Sequence, residues 1–396
     1  MTTTRAFICL LFISNYLSVF AQTEETFYDV DKKVKKEIYR IKKYNGKIAK
    51  EGRYQIFYEN GKLWQEGNYK KDKLNDEWKI YFDNGSLKQT VNYTNGLRQG
   101  ISKIYYDDGT LYQELNYIND KLEGKVIVYH PNGRVMEVSE YKNDTLNGES
   151  KGFYDTEKRY FVRHYIKGKR EGIYEEFYDN GQRKEESSFM NDLYEGPFIS
   201  YYKDSLNGIQ KRCLYSKGKL NGEFTSYYPN GSIQIKGNYV NDSLQGEYLH
   251  FFSAKKNFPE GKLVEKGNYL NNMRSGIWTS WYPEGNVYTT GAFAEGKFEG
   301  EWKIYHPNGN LKQVGTYSND IETGKWKYYH TNGNLYMEGE YTADGKQNGV
   351  WKEYYEDGKI KAIYNSKEGK LDGKQMAYDK EGKLVEELQY NNGIKQ

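Results

Sequence analysis

Gly300-Glu-Trp302-Lys-Ile-Tyr305-His-Pro-Asn-Gly309-Asn-Leu311-Lys-Gln-Val-Gly315-Thr-Tyr317-Ser-Asn-Asp320-Ile-Glu-Thr-Gly324 is one unit of a repeat that runs through most of the chain. The Gly that opens it recurs as Gly52, Gly100, Gly124, Gly148, Gly172, Gly196, Gly222, Gly246, Gly276, Gly300, Gly324, Gly349 and Gly373, with Asp76 holding its place once. These thirteen intervals span 321 residues. The excess over a strict 24-residue period falls in three places, the largest near Ser253 to Phe258. A constant period of this length marks a repeat architecture, and it decides the fold before any single element does.

Five residues past the Gly an aromatic stands in all fourteen units, among them Tyr201, Tyr227, Trp281, Tyr305, Tyr329 and Tyr354. Two residues past it most units carry a ring, such as Trp78, Trp278, Trp302, Trp326 and Trp351, while Ser102, Val126, Ser150 and Gln375 depart. A turn signal such as Pro-Asn-Gly309 follows, then an aliphatic such as Leu311, and the unit closes on an aromatic such as Tyr317. Two short aromatic-rich stretches around a Gly-bearing turn spell a β-hairpin, and they are too short and too Gly-rich for helices. A lone hairpin is marginal in water, so about fourteen must pair edge to edge. The expected fold is all-β: an elongated single-sheet array of about 14 antiparallel β-hairpins.

The turn sets the faces. A two-residue Asn-Gly turn puts Trp302 opposite Gly315, Trp278 opposite Gly291 and Trp326 opposite Gly339. Pro-Glu-Gly285 argues instead for a type I turn followed by a left-handed Gly, which makes a three-residue loop with a bulge. In that register Tyr305, Leu311, Gly315 and Tyr317 share one face, while Trp302, Ile304 and Val314 share the other. A slip of one residue exchanges them.

The chain has 396 residues, 58 Lys and Arg against 55 Asp and Glu, 42 Tyr and two Cys. Its mean hydropathy of -0.98 would suit disorder, but 17% aromatic residues require folding. A net charge of +3 gives no footprint for nucleic acid. The sustained apolar run Ala6 to Phe20 follows Arg5 and leads to a small-residue site at Ala21. It reads as a signal peptide, since fifteen residues interrupted by Asn15 are too short to span a membrane. Cys9 leaves with it, and Cys213 is then the only thiol. The expected organisation is a signal peptide over 1–21, a lead-in over 22–44 and the array over 45–396. No transmembrane segment is expected in the mature chain, which is exported to the periplasm, outer surface or medium after cleavage near Ala21.

Gly315-Thr-Tyr317, Gly324-Lys-Trp326-Lys-Tyr-Tyr329 and Asn-Gly333-Asn-Leu335 resemble the variant form of the MORN repeat (membrane occupation and recognition nexus), in a bacterial exported form. The resemblance covers about Asn45 to the carboxyl terminus. It implies stacked hairpins without an intrinsic active site, used as a platform for protein or lipid, and some bacterial chains of this type resemble antitoxins. The common unit reads Tyr-x-Gly-x-Trp, whereas here a longer loop bearing Asn and Asp separates Tyr from Gly-x-Trp. That departure takes weight from lipid binding, as the signal peptide does from a cytoplasmic antitoxin.

Motifs for chemistry are few. Gly148-Glu-Ser150-Lys-Gly152 spells a hydrolase elbow, but Ser150 sits in the Trp slot of a repeat and no ordered acid and His follow. His130, His306 and His330 share one slot, where Tyr stands elsewhere, and read as His replacing Tyr. Asn119-Asp120, Asn143-Asp144, Asn241-Asp242 and Asn319-Asp320 read as turn residues rather than Ca²⁺ ligands. Cys213 stands where other units have Gly and reads as a small packed side chain. No Gly-Lys pair is followed by Ser or Thr, so there is no P-loop, and no cofactor is expected. The aromatic row Tyr201, Tyr227, Trp281, Tyr305, Tyr329 and Tyr354 is the candidate recognition ladder. The expected function is a non-enzymatic exported platform that binds or scaffolds another protein or an envelope component. The alternatives are a glycan-binding module built on aromatic ladders and an antitoxin-like or lipid-binding role.

Overall fold

The computed structural model describes residues 21–204, 208–254 and 261–396. The apolar run with Cys9 lies outside them, as does most of the insertion near Ser253 to Phe258. Among the described residues there is no helix, and within each of two compact units the strands form antiparallel hairpins in chain order. One unit ends at Lys169 and the other runs from Arg170 to Gln396. The first opens with the strands Gln22–Phe27 and Lys35–Tyr44, paired to each other, and continues as hairpins. The second is hairpins throughout.

The hairpin formed by Lys297–Tyr305 and Leu311–Ser318 shows how the sequence builds each one. The His306 amide donates to the Asn310 carbonyl at 2.8 Å and the Gly309 amide to the His306 carbonyl at 2.9 Å. Gly309 has φ +90°, which a side chain resists. This is the expected three-residue loop. The faces that were to follow from it do not. Tyr305 pairs with Leu311 but Ile304 pairs with Gln313, so Lys312 bulges out of the ladder. The second bulge cancels the first and returns Trp302 to a position opposite Gly315. Trp302, Ile304, Gly315 and Tyr317 therefore share one face, and Tyr305, Leu311 and Val314 the other. Trp278 likewise faces Gly291, and Trp326 faces Gly339, through the same double irregularity.

Packing explains why the chain accepts the extra bulge. The rings of Trp78, Trp278, Trp302, Trp326 and Trp351 are each seated on the glycine of the strand before their own. A Cβ added at Gly267 would come within 2.1 Å of Trp278, at Gly291 within 2.1 Å of Trp302, and at Gly315 within 2.0 Å of Trp326. Gly67 under Trp78 and Gly339 under Trp351 are equally close, at 2.3 and 2.0 Å. The closing tyrosines meet these rings edge-on, Tyr269 to Trp278 and Tyr317 to Trp326 both at 5.1 Å. The indole N–H groups of Trp78, Trp278 and Trp302 donate to the carbonyls of Asn68, Asn268 and Ala292 at 3.0 to 3.1 Å. Where the slot is small, its seat is filled instead. Leu115 packs with Val126, the hydroxyls of Ser139 and Ser150 lie 2.9 Å apart, and Tyr364 takes the seat beside Gln375. Cys213, 5% exposed opposite Phe224, is the small packed side chain its position suggests.

Two edges join one hairpin to the next. At the loop edge a Tyr after the invariant aromatic can donate to the carbonyl of the next invariant aromatic, as Tyr58 does to Tyr81 at 2.8 Å, Tyr282 to Tyr305 at 2.9 Å and Tyr355 to Tyr378 at 2.8 Å. At the other edge, Asn319-Asp320 adopts φ +50° and +71°, a type I′ turn. The Asp320 carboxylate accepts the Phe298 amide of the preceding turn at 2.6 Å. Asp120, Asp144 and Asp242 accept the amides of Arg98, Leu122 and Leu220 in the same way, each at 2.7 Å. The Asn-Asp pairs are turn residues, with these four carboxylates engaged by backbone.

Replacing Gly291 by Val should destabilise the protein by about 1–3 kcal/mol through overpacking against Trp302. Adding Gly291→Leu to Trp302→Val, which copies Leu115 and Val126, should be less damaging than either single change, as chemical denaturation would reveal. Burial pushes the phenols of Tyr194, Tyr248 and Tyr317 up to about 12, helped by nearby carboxylates. The unfolded chain then loses these protons first. Their contribution to stability is intact below about pH 10 and is lost as pH rises towards about 12. Alkaline unfolding should fall in that window, with tyrosinate absorbance at 295 nm rising together with loss of β-sheet dichroism.

Candidate functional site

The ladder residues are placed on one face, opposite the Trp rings. Each stands across the strand pair from an aliphatic residue: Tyr201 from Ile209, Tyr227 from Ile233, Trp281 from Val287, Tyr305 from Leu311, Tyr329 from Leu335 and Tyr354 from Ile360. All six are half-buried. An intervening strand separates the rungs of successive repeats by about 10 Å, with Phe251 holding the rung between Tyr227 and Trp281, so they line up without stacking on one another. The polar end of Tyr354 is engaged locally. Tyr354 donates to Glu338 Oε1 at 2.9 Å, and burial together with that carboxylate pushes its phenol up to about 12.

The histidines belong to the loop edge. Nε2–H of His130, His306 and His330 donates to the carbonyls of Phe153, Tyr329 and Tyr354 at 2.9, 3.0 and 3.1 Å. These are the bonds that Tyr58, Tyr282 and Tyr355 make elsewhere, so His does replace Tyr. Ser150 lies within the strand Thr145–Phe153, 2% exposed, and donates to Glu137 Oε1 at 3.0 Å. It is not held on a strand-to-helix elbow. Among the described residues no three His, Cys, Asp or Glu side chains converge as a metal site requires, and no helix is long and apolar enough to cross a membrane.

The sequence reading missed two features. The first is a set of bulged side chains on the Trp face of each unit. Tyr112, Tyr160, Tyr288 and Tyr336 pack at 5.0 Å on Tyr106, Tyr154, Tyr282 and His330, and keep about two fifths of their surface open. A period-2 reading cannot find them, because the bulge breaks the alternation that it relies on.

The second is a cavity of about 250 Å³ on the Trp face. Its floor is the cross-strand pair Ser280 and Thr289, where the next two hairpins carry Ile304 with Gln313 and Tyr328 with Met337. The missing bulk leaves an opening walled by Trp278, Phe293, Trp302 and Ile304. The Thr289 hydroxyl donates to the Lys303 carbonyl at 3.1 Å, which leaves its methyl for the cavity. At one end Arg274 lies 4.1 Å over Trp278 and holds Glu265 at 2.8 Å. The result is an apolar recess with one charged end. A signal was available in the sequence: two small residues where neighbouring repeats have large ones.

The family described as the MORN repeat variant matches residues 45–71, 77–95, 98–119, 122–143, 170–191, 220–241, 298–319, 322–343, 347–368 and 371–392. A comparison with curated proteins finds no match. Among solved structures, the crystal structure of TcdB2-TccC3-Cdc42 is similar at 10% identity, over 93% of this chain and 27% of that one, with a TM-score of 0.12. The Photorhabdus luminescens Tc holotoxin pore is similar at 10% identity over 90% of this chain and 24% of that one, with a TM-score of 0.14. The chain spans about a quarter of the length of those chains, and scores this low bear on neither fold nor function. Ten matched segments cover more than half of the chain and fall on the hairpins described above, so the protein belongs to the MORN repeat variant family.

Proposed function

We propose that this protein is an exported, non-enzymatic platform that binds another protein or envelope component through the Trp face. Export rests on the apolar run Ala6 to Phe20 ahead of Ala21. The observation that carries the binding reading is the recess over Ser280 and Thr289. A partner's apolar side chain entering it meets Trp278, Trp302 and Ile304 and leaves water, which is how a few anchors supply most of an interface's affinity. Arg274 and Glu265 at its rim offer a donor and an acceptor to the partner's backbone beside the anchor. The family supports the reading, since stacked hairpins present long surfaces.

Filling the recess tests it. Ser280→Tyr with Thr289→Met copies the Tyr328 and Met337 pair that the next hairpin but one already accommodates, so the fold should be kept. The expected result is at least a tenfold loss of partner captured from the envelope fraction by the mature chain. Undiminished capture would remove this face from the account. Fractionation of cells with amino-terminal sequencing tests export: the chain should be recovered outside the cytoplasm, beginning at Gln22.

A further inference from the structure

A second opening lies on the opposite face and has a different chemistry. It measures about 590 Å³, within the range of small-ligand sites, and spans the strands Lys219–Tyr227, Ile233–Val240 and Gly246–Phe251. Its loop end is apolar, with the ladder residue Tyr227, Ile233 and Leu249. Its other end is polar, with Glu223, Asn238 and Glu247, and Lys236 stands between. Thr225 sits where Lys303 and Lys327 extend in later hairpins, and its short side chain gives the cleft depth.

Glu247 is held by Lys266 at 2.8 Å. Among the described residues Glu223, Lys236 and Asn238 are unspent, although the equivalent positions are spent in other hairpins. Arg53 with Glu66 and Lys374 with Glu387 close one diagonal of their hairpins at 3.0 and 2.8 Å. Glu223 and Lys236 occupy that diagonal with the signs reversed, and among the described residues they form no ion pair. The side-chain amides of Asn92, Asn116 and Asn365 donate to the carbonyls of Ile101, Glu123 and Lys374 at 2.7 to 2.9 Å. Asn238 holds the equivalent position, and its side chain makes no such bond among the described residues. A carboxylate, an ammonium and an amide thus face one cleft beside a half-buried phenol and two aliphatic side chains.

Lining of this kind matches a sugar. A pyranose has an apolar C–H face that stacks on a ring and an equator of hydroxyls that takes paired donors and acceptors. The acetamido groups of successive sugars add a methyl suited to Ile233 and Leu249 at the loop end and an amide suited to Asn238 at the polar end. We propose that this cleft binds a short oligosaccharide containing N-acetylhexosamine. The proposal rests on the export reading for its setting and is independent of the recess at Ser280.

Isothermal titration calorimetry of the mature chain with chitotetraose, and with cellotetraose of equal length, tests it. Chitotetraose should bind, and Glu223→Gln and Tyr227→Ala should each weaken it at least tenfold. Glu223 is exposed, so its conservative variant should fold even if Tyr227→Ala does not, and circular dichroism checks both. The Ser280→Tyr, Thr289→Met variant should bind the sugar unchanged. No heat at millimolar chitotetraose, or affinity unaltered in Glu223→Gln, would overturn the proposal while leaving the protein-binding platform untouched. Equal affinity for cellotetraose would overturn the acetamido assignment.

Discussion

An indole seated directly on a backbone needs a residue without a Cβ beneath it, and this contact governs the rest of the architecture. Trp278, Trp302, Trp326 and Trp351 are 6% exposed or less, each over a glycine that no larger residue could replace without displacing the ring. A strand that slipped by one residue would turn its Trp to the other face and leave the glycine uncovered. The loop alone would impose that slip. The bulge at Lys312 and at its equivalents removes it, and the backbone irregularity is repaid by burial of the ring.

The edges complete what the rings begin. A sheet built from hairpins leaves loop carbonyls and turn amides exposed, and where a unit carries Tyr or His at the loop or Asp at the turn the neighbour can take them up. Tyr282 or His306 serves the carbonyl at one edge, and Asp320 or Asp120 serves the amide at the other. Stability within each unit is then a sum of contacts between adjacent hairpins. Positions outside this scheme vary between repeats at little structural cost. The small pair Ser280 and Thr289, and the unspent Glu223, Lys236 and Asn238, arise where the sequence is free in this way.

Much of this was legible in the residues. The 24-residue spacing of Gly, the fixed aromatic and the Pro-Asn-Gly309 signal specify hairpins and their order, and the slot that Tyr282 shares with His306 shows that one can replace the other. The faces were not legible, because two bulges separated by three residues cancel and only packing reveals the second. Lys312 carries no turn chemistry to announce it. Had the match between Trp and Gly across units been weighed against the loop type, Trp302 with Gly291 and Val126 with Leu115 would have settled the register. The recess escaped for another reason: periodicity highlights what is constant, and a site is made where the pattern lapses.

The seating of Trp on Gly is open to direct measurement by NMR on protein labelled at glycine and tryptophan. The account predicts Hα resonances of Gly291, Gly315 and Gly339 moved upfield by ring currents, with Overhauser contacts from the indoles of Trp302, Trp326 and Trp351 respectively. Ordinary glycine shifts, with the Trp302 indole in contact with Val314 instead, would contradict it.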